Sequence, residues 1–131
     1  MGRVVHFEIH VDDMERAQKF YRDVFGWTYQ DWSEYAGLPY YGAVTDDDHG
    51  FRIDGALMQR QGPPPEPNQP LNGYACTMGI DEYDTTEVKI LDHGGSVAIP
   101  KYALPGMAWQ GYYLDTEGNI FGFHQPDKKA Q

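Results

Sequence analysis

With 131 residues, 40% of them hydrophobic and 15% aromatic, the chain is large enough for one compact domain or two half-domains sharing a core, and too rich in aromatic residues for disorder. A formal net charge of −10 repels phosphate backbones and anionic lipid surfaces, so neither nucleic acid nor a membrane is an expected partner. No leader-like apolar opening and no apolar run long enough to cross a membrane is present, which gives the expectation of a cytoplasmic protein; the lone cysteine, Cys76, excludes an internal disulfide and is expected to be a buried, inert thiol.

In chain order, residues 4–11 alternate strictly. Val5, Phe7, Ile9 and Val11 point one way and His6, Glu8 and His10 the other, the pattern of a half-buried strand. Asp12-Asp13 then supplies an N-cap for a helix over 14–24, where Ala17, Phe20, Tyr21 and Val24 form one stripe and Gly26 ends it. Strand-like runs follow near 27–33, 39–45 and 53–60, the last preceded by the acidic turn Asp46-Asp47-Asp48-His49-Gly50, read as a solvated loop rather than a cation site. Residues 61–73 are a proline-rich linker. Beyond it a strand is expected over 74–80, a helix over 84–93 ended by Gly94-Gly95, and strands near 96–101, 109–114 and 119–124.

The second half echoes the first at a spacing of 69: Phe7, Ile9 and Val11 map to Cys76, Met78 and Ile80, Asp12 to Asp81 and Gly26 to Gly95. Two copies of a β-α-β-β-β unit predict an α+β fold of two modules, 1–60 and 74–131, facing a shared cleft.

In this order and spacing, His6 to Asp13, the Arg16-Ala17-Gln18-Lys19-Phe20-Tyr21 helix running into Phe25-Gly26-Trp27, and the closing Asp115 to Phe123 resemble the vicinal oxygen chelate superfamily. That group includes glyoxalases, extradiol dioxygenases, fosfomycin-resistance and bleomycin-binding proteins. The resemblance spans the whole chain, so 1–131 is expected to be a single domain of this type. It implies a cup of strands around a divalent metal, with His6 in the first ligand seat. The closing seat, usually Glu, is Gly122 here; the second-module seat equivalent to His6 is Ala75; the remaining one falls near Gly55. Only one familiar seat carries a donor, whereas a catalytic metal needs about three. No cofactor is therefore expected, a divalent metal being the less favoured alternative. His10 cannot complete the set with His6, because a strand rises about 3.3 Å per residue and separates them by roughly 13 Å.

The ligand-binding residues expected are His6, Glu8, His10, Trp109, Tyr112, Gly122 and His124. Gly122 marks a close approach, by a ligand or another backbone. The aromatic residues supply apolar walls that serve as core, dimer interface or ligand cage. His124 either joins the same cleft or sits exposed at its strand's end. The expected function is metal-independent binding of a small organic ligand by a glyoxalase/bleomycin-resistance-like protein, with a homodimer as the expected assembly. The alternative is a lyase, isomerase or dioxygenase using His6 and Glu8 as an acid/base pair or an atypical metal arrangement.

Overall fold

The computed structural model describes residues 3–47, 52–66, 69–70 and 73–131, and the chain divides into two units, Met1–Pro64 and Pro65–Gln131. Part of the acidic turn (48–50) and of the linker (67, 68, 71 and 72) lies outside the described residues. Among those described, no helix is long and apolar enough to cross a membrane.

The first unit runs β1 (Phe7–Val11), α1 (Met14–Phe25), β2 (Thr28–Asp31), a short α2 (Ser33–Ala36), β3 (Tyr40–Val44) and β4 (Gly55–Gln59). Asp13 caps α1 by accepting the Arg16 N–H at 3.0 Å, and Gly26 closes it in the left-handed region (φ 78°), where its N–H reaches the Arg22 carbonyl. Asp13→Ala is expected to cost about 1 kcal/mol, read from denaturant unfolding, because the Arg16 N–H loses its acceptor. The buried stripe of α1, Ala17, Phe20, Tyr21 and Val24, is the one its spacing predicts. Trp27 stacks on Tyr21 at 4.6 Å and meets Phe7 at 5.6 Å, so the helix and the strand that precedes it share one aromatic core.

The sheet order is β1-β4-β3-β2, with β1 and β4 parallel. Strand β1 is shorter than expected because its partner begins at Gly55, opposite Phe7. Upstream of that point Asp54 turns to accept from the Thr45 N–H, leaving Val4 and Val5 exposed. Helix α2 interrupts what the sequence suggests is a strand as far as Ser33. The Asp31 carboxylate accepts the Ser33 N–H at 2.9 Å, a local bond that competes with the ladder, and the Trp32 ring turns back over Gly42.

The second unit repeats the plan: β5 (Thr77–Gly79), α3 (Tyr83–Asp92), β6 (Ser96–Leu104), β7 (Ala108–Leu114) and β8 (Ile120–Pro126), in the order β5-β8-β7-β6 with β5 and β8 parallel. Helices α1 and α3 begin at Met14 and Tyr83, the 69-residue spacing of the sequence echo. No side chain of its own sequence neighbours caps α3; Gln125, from the end of β8, accepts the Tyr83 N–H instead. Beneath α3, Phe123 packs on Tyr83 at 4.4 Å and Tyr113 at 4.6 Å. The hydroxyls of Tyr83 and Tyr113 meet at 2.9 Å, and Tyr113 donates to Glu87. Burial pushes the Tyr113 hydroxyl far above its usual range, with the Glu87 bond adding to it, so this internal network keeps its protons.

Strand β6 runs on to Leu104, past its expected end, because it is an edge strand and tolerates Pro100 at a register shift. Strand β5 is shorter than the expected 74–80: its ladder with β8 covers only Thr77 to Gly79. Cys76, just before it, is exposed, which corrects the expectation of a buried thiol. Partial desolvation still raises its pKa and keeps it protonated. The two units thus match in order and register while differing in burial, since Phe7 is half-buried against Trp27 and Cys76 is not.

Candidate functional site

Because β1 alternates, Glu8 and His10 leave the face that α1 covers, and His6, the residue just before the strand, lies on their side; all three are exposed. The parallel register sets Ala56 beside Glu8 and Met58 beside His10, and the next pairing sets Tyr40 beside Met58. Tyr40 therefore joins the same face, 34 residues from His6 in sequence. Its hydroxyl donates to Glu8 Oε2 at 2.9 Å and lies 3.0 Å from His6 Nε2. Glu8 Oε1 is 3.7 Å from His10 Nε2, so the order across the face is His6, Tyr40, Glu8, His10.

The protons can be assigned from this geometry. Desolvation, then the bond to Glu8 and its charge, push the Tyr40 pKa up to about 12, so the phenol stays protonated at neutral pH. Its one proton goes to the carboxylate, which accepts only. Toward His6 the phenol oxygen must then accept, so Nε2 is the ring nitrogen that donates in this contact. Tyr40 itself is braced: its N–H donates to Ser33 Oγ at 3.0 Å and its carbonyl accepts from the Trp32 N–H at 2.9 Å. The arrangement sets a phenol and a carboxylate between two imidazoles on one face of the first sheet and its leading residue.

In the second unit the corresponding face carries Thr77, Gly122, His124, Tyr112 and Gln110. Gln110 is buried, and its Oε1 lies 3.1 Å from His124 Nδ1. The space beside Gly122 is taken: a Cβ there would stand 3.0 Å from both Gln110 Nε2 and Tyr112 Cε1. The Gly111 carbonyl oxygen stands 3.2 Å from the same point, so of the two close approaches expected at Gly122, ligand or backbone, the structure shows that of the neighbouring strand's backbone, together with two of its side chains. Trp109 also departs from the expected group. It is an odd number of residues from Tyr112 and so lies on the opposite face, where its Nε1–H donates to Asp127 at 3.1 Å and Lys101 Nζ stands 4.7 Å from the ring. The remaining metal seat, placed near Gly55, shifts by one. Thr77 pairs with Gly122 as Glu8 pairs with Ala56, so Ala56 is the residue equivalent to Gly122, while Gly55 lies on the helix side against Phe7.

The residues present do not fit the metal that the fold implies. Ala56, Ala75 and Gly122 have no donor atom, the His6 Nε2 is engaged by Tyr40, and among the described residues no three His, Cys, Asp or Glu side chains come together to hold an ion. Sequence reasoning missed Tyr40 and Gln110. A strand-like run over 39–45 was legible, but its pairing with β4 is a long-range register that the run by itself does not contain.

Residues 3–38 match the family described as bleomycin resistance protein-like N-terminal. A glyoxylase-like domain-containing protein of Didymella fabae is 27% identical over 121 residues, covering 90% of this chain and 89% of that protein. Among solved structures, a mutant of the fosfomycin resistance protein FosX from Listeria monocytogenes, complexed with Mn(II) and a dihydroxypropylphosphonic acid, superposes with a TM-score of 0.70 at 16% identity, over 95% of this chain and 90% of that one. A glyoxalase-related enzyme from Fulvimarina pelagi gives 0.68 at 18% identity, over 95% and 88%. The glyoxylase/bleomycin resistance protein/dioxygenase domain from Frankia gives 0.70 at 14% identity, over 97% and 99%.

Proposed function

We propose that this chain, which belongs to the vicinal oxygen chelate superfamily, binds a small organic ligand on the exposed face of its first sheet without a divalent metal. The observation that carries the reading is the engagement of His6 and Glu8 by the Tyr40 hydroxyl, which makes the face a set of hydrogen-bonding groups. The formal charge of −10 favours a neutral or cationic ligand over an anion such as a phosphonate.

The test is elemental analysis combined with native mass spectrometry of protein purified without chelator. An organic adduct is expected, with metal well below one ion per chain. His6→Ala is expected to weaken that adduct by about 1–3 kcal/mol, the cost of removing a hydrogen-bonding partner. One tightly held ion per chain, coupled to turnover, would sink the proposal.

The second reading, an acid/base enzyme, is favoured by one feature, the exposed Glu8 carboxylate held between a phenol and an imidazole. Turnover of methylglyoxal with glutathione, of catechols, or of fosfomycin with thiols, lost in Glu8→Gln, would select it over binding alone.

A further inference from the structure

We propose that Tyr40 is the residue that closes the His6 seat to divalent metal, because its hydroxyl occupies the bridging position between His6 Nε2 and Glu8 Oε2 that a cation would take. The inference rests on the metal-independent reading above and assigns that property to one atom. His6, just before β1, and Glu8 within it are two residues apart and both reach the Tyr40 hydroxyl, a spacing from which an imidazole and a carboxylate can reach a common ion. What stands between them is an oxygen at 3.0 Å from one and 2.9 Å from the other, hydrogen-bond lengths where a metal would need bonds of about 2.0–2.2 Å.

The exclusion is chemical as well as spatial. A metal binds imidazole through a nitrogen lone pair, and the Tyr40–Glu8 bond commits the phenol to accept from His6, which leaves hydrogen on Nε2. To bind at Nε2 and at the Glu8 carboxylate together, an ion must break both hydrogen bonds that the Tyr40 hydroxyl makes. The Tyr40 backbone is tied to Ser33 and Trp32 on one side and paired with Met58 on the other, which fixes the point on β3 from which the phenol reaches His6 and Glu8. Glu8, by contrast, is exposed and can rotate inward once released.

Zn2+ is the probe. Titration calorimetry at neutral pH would compare the wild-type chain, Tyr40→Phe, which removes only the hydroxyl, and Tyr40→Ala, which also removes the ring, each with and without His6→Ala. Circular dichroism would check that every variant is folded. Loss of the hydroxyl is expected to tighten Zn2+ binding by about tenfold, the worth of the two hydrogen bonds given up. The gain should vanish when His6→Ala is added. Equal affinity in wild type, Tyr40→Phe and Tyr40→Ala overturns the inference while leaving metal-free ligand binding intact, and so does a gain that survives His6→Ala. Tight stoichiometric Zn2+ on the wild-type chain, lost in His6→Ala, overturns both.

Discussion

Phe123→Ala is expected to destabilise the protein by about 3–5 kcal/mol, the cost of emptying a large aromatic site in a packed core. Phe123 is fully buried and is the ring on which Tyr83 and Tyr113 converge, at 4.4 Å and 4.6 Å. Its removal also loosens the hydroxyl pair those tyrosines form at 2.9 Å, and with it the contact to Glu87 on α3. A domain with a total stability of about 5–15 kcal/mol loses about a fifth or more by this change. Denaturant unfolding measures it. Val97→Ala, on the exposed edge strand β6, is the control and should move stability by no more than about 0.5 kcal/mol. A loss below about 1 kcal/mol in Phe123→Ala would show that α3 is not held by this cluster.

The second large effect is expected from Gly55→Ala. A methyl group there would lie 2.5 Å from the Phe7 carbonyl oxygen and 2.5 Å from the Phe7 ring, and one of those obstacles is backbone. The parallel pair of β1 and β4 has to part at its first rung, a form of overpacking that costs about 1–3 kcal/mol and occasionally more. Because β1 carries Glu8 and His6 adjoins its first residue, the shift should also disturb their contacts with Tyr40 on β3. Gly26→Ala is the contrasting case. No atom stands within 4 Å of a Cβ there, so its cost is only the left-handed conformation at φ 78°, about 1–2 kcal/mol, with the β1 contacts untouched. Melting curves read the stability. The ring nitrogen resonances of His6 would report the disturbance, and their identity in Gly55→Ala and wild type would count against the coupling of packing to site.

Period-two alternation alone placed Glu8 and His10 on one face of β1, with His6 on the same side just ahead of it, since a strand turns successive side chains to opposite sides whatever it later pairs with. The helix over 14–24 was legible to within a residue of its end because a cap, an apolar stripe and a stop glycine agree locally. The repeat of 69 residues foretold that the same succession of strands around one helix would occur twice. Strand register was beyond reach, and everything decided by it had to come from the tertiary structure. It set Tyr40 between His6 and Glu8, assigned Ala56 and not Gly55 as the counterpart of Gly122, filled the space at Gly122 with Gln110 and Tyr112, and turned Trp109 away from Tyr112. The physical reason is one and the same. Local periodicity fixes which residues of a strand share a side, whereas the neighbour across the ladder is chosen by hydrogen bonds between segments distant in the chain, and a slip of one residue would exchange every partner.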